Sequence, residues 1–379
     1  MKGTPTWLRA QNDRTAFRLL LEHGPLSRSQ LGELSGMSKP TAGQMITRLE
    51  RIGLIVPAGE VTGARGPNAV SYGVRRDALT GVAVSILADR IQAVLVDPSD
   101  TVHPVAEFST AGRDRSPAHD VRAAVAAACA ASGVSPESVS AVTVGVQAAV
   151  DEAGDALSFT DTLPGWPRHG ARTLIESATG LAVTLENDVN LATMAERAAA
   201  GIDTDFVHVW LGDGIGAGLF VGGVVLRGEA GGAGELGYLA VPRTAAAIDP
   251  AAEDLTDLAG APGVLAVLGA APQESLAAAL PRLAGDEAAL AALADRVTTV
   301  LQPVLALLAP PCIVLGGPTA TAGGAALAAL VADRLALPHN RVRSSQVVGD
   351  PGPVLLGART LLVADLRARL EHQIVEEIG

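Results

Sequence analysis

Residues 211–238 read LGDGIGAGLFVGGVVLRGEAGGAGELGY, and eleven of these twenty-eight residues are glycine. Each glycine loses more backbone freedom on folding than any other residue, so so dense a run is costly inside an ordinary helix or strand. What it permits is close approach of the backbone, either to another chain segment or to a ligand. The first half, GDGIGAG, has the composition of a phosphate cradle. Whether it holds a phosphate separates an enzyme from a regulator.

On either side the pattern alternates between strands and helices. Upstream, GVAVSILADRIQAVLVD (81–97) reads as a hairpin, SAVTVGVQAAVD (140–151) contains a buried strand, and LAVTLEND (181–188) is a strand with a polar tip. Within and beside the run, DFVHVWLGDG and GAGLFVGGVVLRG read as strands with Gly222-Gly223 as their turn. PCIVLGG (311–317) is a further buried strand ending in glycines. Alanine-rich helices are expected at 118–131, 190–200, 274–284 and 287–308. This alternation predicts a large α/β body, in two lobes.

The first eighty residues differ. They carry 11 Lys/Arg against 6 Asp/Glu, whereas the remainder carries 17 against 34, within a chain of 379 residues and net charge −12. Opposite signs in two parts of one chain suit a basic module that meets an anion, joined to an acidic body. Residues 12–23 read as a helix stopped by Gly24-Pro25. Ser27 and Gln30 have capping-box spacing at the start of a second helix. Gly36 supplies a tight turn, and Ser38 caps a third helix whose Ala42, Met45, Ile46 and Leu49 face inward. Two short helices joined by a glycine turn, with a third ahead of them, is the helix-turn-helix pattern. Two β-like stretches between 53 and 74 complete a winged-helix layout.

The outward positions of the third helix are Lys39, Thr41, Gln44, Thr47 and Arg48, with Ser38 at its cap. Such side chains bond phosphates and base edges, and a recognition helix presents its first turns to the major groove. Arg65, flanked by glycines in the wing, suits a narrow minor groove. The competing reading is a helical protein–protein module with a polar face.

Other classes are disfavoured. No uninterrupted apolar run reaches the roughly 18 residues of a membrane span. The N-terminus lacks an apolar signal core, so a cytoplasmic protein without a membrane partner is expected. Cys129 and Cys312 are far apart and fit thiols in a reducing compartment.

LENDVN, LGDGIGAGLFVGG, LRGEAGGAGELGY and VLGG, in this order behind a winged helix, resemble the ROK family of repressors and sugar kinases. The resemblance spans nearly the whole chain. It implies an actin-like fold of two lobes with a sugar cleft between them, and a homodimer or dimer of dimers. The divisions expected are a winged helix-turn-helix at 1–78, one lobe at 79–189 plus 355–379, and a second lobe at 190–354. By the same resemblance Asp188 stands where the family's kinases keep the base that deprotonates a sugar hydroxyl. The alternative from the residues alone is a helix cap. Asn187 and Glu235 are implied sugar contacts, with Tyr238 in place of a zinc-site histidine and Asp257 as the nearest substitute for a further glutamate. Trp166 either lines the cleft or packs.

Departures from the family's kinases point away from phosphoryl transfer. Their Asp, Gly-Gly and Thr phosphate strand is replaced here by residues 83–90, AVSILADR, and Asp213 stands where they commonly have threonine. A carboxylate there repels a phosphate. The family's cysteine cluster is also missing, so no metal and no cofactor are expected. The resulting expectation is a sugar-responsive regulator, most readily a repressor, that binds double-stranded operator DNA and a sugar or sugar-derived effector. The alternatives are a sugar kinase with an appended DNA-binding domain and a ligand-independent regulator with a vestigial cleft.

Overall fold

A computed structural model of the chain describes residues 5–61, 69–112, 115–159 and 163–378. The N-terminal part consists of α1 (Pro5–His23), β1 (Leu26–Ser27), α2 (Arg28–Ser35), α3 (Lys39–Arg51), β2 (Ile55–Val61) and β3 (Ala69–Val74). The first helix begins at Pro5 rather than near Asn12, since proline is tolerated in a first turn. Ser27 and Gln30 form the reciprocal capping box, with the Ser27 amide donating to Gln30 Oε1 at 2.9 Å. Gly36 ends α2 at φ 68°, a left-handed conformation that glycine adopts freely, and Ser38 caps α3 by accepting from the Thr41 amide. The three strands pair antiparallel in the order β1-β3-β2. Phe17, Leu20, Leu31, Met45, Ile46 and Leu49 form the core beneath them.

The next part carries β4 (Thr80–Ile86), β5 (Arg90–Val96), β6 (Val105–Ser109), α4 (Pro117–Ser132), β7 (Val139–Val146), β8 (Ala149–Asp151), β9 (Ala156–Ser158), α5 (Ala171–Thr179) and β10 (Ala182–Asn187). Its sheet runs β10-β7-β4-β5-β6, parallel at β10-β7-β4 and antiparallel beyond. Helices α4 and α5 cover one face. Trp166 packs there, 6% exposed, its indole N–H donating to Asp120 Oδ2 at 2.8 Å.

Helix α6 (Asp188–Ala200) leads to β11 (Phe206–Leu211), β12 (Ile215–Val221), β13 (Val224–Val225), α7 (Leu255–Ala259), α8 (Ala261–Val267), α9 (Leu276–Ala279), α10 (Glu287–Leu308), β14 (Ile313–Gly316), α11 (Gly317–Arg334) and β15 (Val342–Ser344). The second five-stranded sheet is ordered β13-β12-β11-β14-β15. The helix expected at 274–284 is a single α-turn followed by a 3-10 turn at Leu280–Leu283, because Pro281 has no amide hydrogen to continue the ladder. Helix α10 is long and apolar enough to cross a membrane by length and composition, but half of that apolar window is buried in the core of this lobe.

The chain closes with α12 (Pro353–Ile378), which lies on the free face of the first lobe's sheet through Leu355, Ala358, Leu362 and Leu366. Its far end enters the winged-helix core through Leu370 and Ile374. Helix α6 packs on α12 and also on β11 and β12, so it joins both lobes.

The glycine run is explained largely by chain approach. A Cβ on Gly218 of β12 would overlap the Thr193 hydroxyl of α6, and one on Gly234 would overlap the Ala217 carbonyl oxygen. These glycines let α6 and the 228–237 loop lie directly on β12. Gly214 differs, with nothing near its missing Cβ, and it faces the space between the lobes.

Candidate functional site

Between the lobes lies a cleft of about 1210 Å³. At its base, strand β10 ends and α6 begins. Asn187 is the cap of α6, its Oδ1 accepting from the Asn190 amide at 3.0 Å while its Nδ2 donates to the Ala148 carbonyl at 3.0 Å. The capping alternative for Asp188 is therefore corrected, since Asn187 fills that role. Asp188 is the first residue of the helix and part-exposed to the cleft, its Oδ1 accepting from the adjacent Val189 amide at 2.9 Å. Asn187 retains one N–H and one lone pair for a ligand.

Burial pushes the Asp188 carboxyl up to about 7, and the nearby Glu235 charge adds to the rise. Burial also raises Glu235. A carboxyl raised in this way is a stronger base than an ordinary one, and in its ionised form it accepts hydrogen bonds from hydroxyl groups. Glu235 and Tyr238 flank the short 3-10 turn Leu236–Tyr238, and both line the cleft.

Tyr238 meets Phe159 of the first lobe at the rim, ring centroids 4.3 Å apart and tilted 32°. Phe159 went unnoticed in the sequence because its short β9 end carries no motif. Arg227 was also missed. It donates from Nε to Glu186 Oε2 at 2.7 Å, joining β10 to the second lobe behind the cleft floor.

Asp257 is corrected. It does not line the cleft; its Oδ2 accepts from the Glu253 amide at 3.1 Å. The neighbouring Asp254 and Thr256 line it instead, Asp254 also capping α7. Gly212, Asp213 and Gly214 line the cleft, as do Leu87, Ala88 and Arg90 of the other lobe, from the turn between β4 and β5 and the start of β5. Among the described residues no group of three or more His, Cys, Asp or Glu is placed to hold a metal.

On the winged helix, Ser38, Lys39, Gln44 and Thr47 are exposed on α3 and Thr41 is half-buried. The Ser38 and Thr41 hydroxyls lie 2.9 Å apart. Arg48 is corrected. Its guanidinium is committed to the buried Asp13 of α1, with both oxygens accepting at 2.7 Å, and so is taken from the DNA-facing set. Arg65 lies outside the described residues.

With this geometry the family question is decided by the match of residues 82–346 to the ROK family model. The chain belongs to the ROK family. Residues 15–56 match the MarR family model, over the three N-terminal helices. The xylose repressor of Bacillus spizizenii is 21% identical over 242 residues, 62% of each chain. The chain thus spans under two thirds of the length of the curated repressors it matches. The beta-glucoside kinase of Listeria innocua is 45% identical, but over 67 residues, 17% of this chain and 23% of that one. A crystal structure of a ROK-family transcriptional regulator, a homologue of the E. coli MLC protein, has a TM-score of 0.67 at 18% identity, covering 97% of this chain and 99% of that one. A ROK-family glucokinase from Streptomyces griseus, in complex with glucose and AMPPNP, has a TM-score of 0.59 at 22% identity, covering 74% and 98%. These two structural likenesses show the shared two-lobed ROK fold, and the first extends it over the winged helix.

Proposed function

We propose that this ROK protein is a sugar-responsive DNA-binding transcriptional regulator, acting as a repressor, in the cytoplasm and as a homodimer or dimer of dimers. The observation that carries this reading is the course of α12. Gly352, Pro353 and Val354 at its start line the cleft, while Leu370 and Ile374 at its end are part of the winged-helix core. One rigid element therefore touches both the ligand site and the DNA-binding module. A sugar bound at Asn187, Asp188 and Glu235 closes the lobes, α12 moves with them, and the spacing of the two winged helices on a palindromic operator changes. Such coupling requires that the sugar bind one arrangement more tightly than the other. Ser38, Lys39, Thr41, Gln44 and Thr47 present the recognition surface, with Arg65 in the wing. The similarity to xylose repressors supports a carbohydrate effector and repression. A mobility-shift assay on the gene's own upstream DNA, across a sugar panel, tests the reading. Asp188→Ala should keep DNA binding and lose the sugar response; an unchanged response sinks the site.

A second reading, a ROK sugar kinase with an appended DNA-binding domain, is favoured by Asp188 alone, whose carboxyl at about 7 suits a general base. Asp213 and the replaced phosphate segment at residues 83–90 oppose it. ATP consumption above background in a coupled assay over the same sugars would establish it.

A further inference from the structure

The cleft is larger and more one-sided in charge than a monosaccharide needs. Its volume of about 1210 Å³ exceeds the roughly 300–1,000 Å³ of most small-molecule sites. Among the described residues its lining holds six carboxylates, Glu107, Asp188, Asp213, Glu235, Asp254 and Asp350, against one guanidinium, Arg90. Arg90 is itself drawn to Glu107, its Nε 3.9 Å from the carboxylate. The Gln92 amide donates to Glu107 at 2.6 Å and to Asp350 at 3.0 Å, holding both carboxylates together beside the replaced phosphate strand. An anion entering this space meets repulsion from several directions in a confined volume.

Part of the lining is alkyl. Ala277, Leu280, Pro281, Ala284, Ala322 and Val348 line the cleft with alkyl surface, and of these Ala277, Pro281, Ala284 and Val348 are exposed. The space between them and the sugar-binding carboxyls is continuous, because one cavity touches both sets. A lining that offers both polar acceptors and alkyl surface suits a ligand that carries both characters.

We propose that the effector is an uncharged glycoside, its glycosyl unit held by Asp188 and Glu235 and its apolar aglycone laid along the Leu280, Pro281, Ala284 and Val348 wall. The inference rests on the sugar reading given above and narrows it by excluding sugar phosphates and nucleotides. Burying each aglycone methylene strengthens binding about fourfold, so an aryl group gains tenfold or more over a methyl group even when partly covered.

Titration calorimetry on the full chain at pH 7.5 tests this with methyl and phenyl glycosides of glucose and xylose, both anomers, beside glucose 6-phosphate and ATP. At least one phenyl glycoside should bind about tenfold or more tightly than its methyl counterpart, and tighter than either anion. Ala284→Asp and Val348→Asp, both at exposed positions, put a charge where the aglycone would lie and should bring the phenyl-to-methyl affinity ratio toward one. Equal affinity of the phenyl and methyl forms, retention of the gain in both variants, or tighter binding of an anion overturns the proposal while the sugar reading stands. No heat with any glycoside overturns both.

Discussion

Arg14 of α1 donates to Glu371 of α12 at 2.7 Å, a contact between residues 357 positions apart that ties the winged helix to the last helix of the body. Arg18 donates to the same carboxylate at 2.6 Å. Burial would raise Glu371, but the hydrogen bonds from Arg18 and Arg14 outweigh it and hold the carboxyl below its usual value. The stability this contributes is present above the unfolded pKa and is lost as pH falls through the folded one. Glu371→Gln should cost about 1–2 kcal/mol at pH 7, measured by calorimetric melting, with the deficit closing in acid. In the mobility-shift assay the same variant should weaken the sugar response more than it weakens DNA binding.

Arg48 and Lys39 separate stability from DNA affinity. Arg48→Ala leaves Asp13, which is fully buried, without its partner. Removing one member of a buried pair costs about 3–5 kcal/mol, and denaturant melts should show a loss on that scale. Lys39→Ala should leave the melt unchanged and weaken operator binding, lowering the slope of log affinity against log salt by about 1.8 for a dimer that loses one phosphate contact per protomer. An Arg48→Ala protein as stable as the parent would return Arg48 to the DNA face.

The raised carboxyl of Asp188 predicts an unusual pH trend. A folded carboxyl at about 7 binds its proton more tightly than the unfolded chain does. Its contribution therefore favours folding at low pH and declines as pH rises from about 4 to 7. His208 acts in the opposite sense. Burial lowers it to about 4, so its stabilising neutrality is lost as pH falls from about 6.5. Comparing Asp188→Asn with the parent at each pH isolates the first group. The variant should be more stable by about 1–2 kcal/mol at pH 8, a value below the full linkage because the carboxyl faces the cleft, and the gap should vanish near pH 4. Affinity for a neutral sugar should rise about tenfold between pH 6 and 8 as Asp188 ionises.

Two glycines of one motif should respond differently to the same change. Gly218→Ala forces a methyl group into the Thr193 hydroxyl between β12 and α6. Overpacking of this kind costs about 1–3 kcal/mol, and melting should show it. Gly214→Ala meets nothing within 4 Å and requires no positive φ. Its melt should match the parent, and any effect should appear in ligand binding.

Local signals were the legible ones. The Ser27 and Gln30 box, the Gly36 turn and the Ser38 cap each involve residues within a few positions, and they outlined the N-terminal module from sequence. The β11 and β12 strands announced themselves by composition and the glycine pair at their end. Arg48 misled because an arginine on an exposed-looking helix face gives no sign of a buried carboxylate 35 residues earlier. Asp257 misled because Asp254, three residues away, has the same chemistry and only the fold decides which faces the cleft. The double role of α12 was illegible for a related reason. Leu362, Leu366, Leu370 and Ile374 form one apolar stripe, and nothing in that stripe shows that its two halves belong to different cores.

Phe159 and Tyr238 come from different lobes and touch at the rim of the cleft. Both rings are exposed and line the cleft, so they join the two lobes directly beside the ligand space. Parting the lobes at that point breaks an aromatic contact, so the pair weights the closed arrangement of the cleft against the open one.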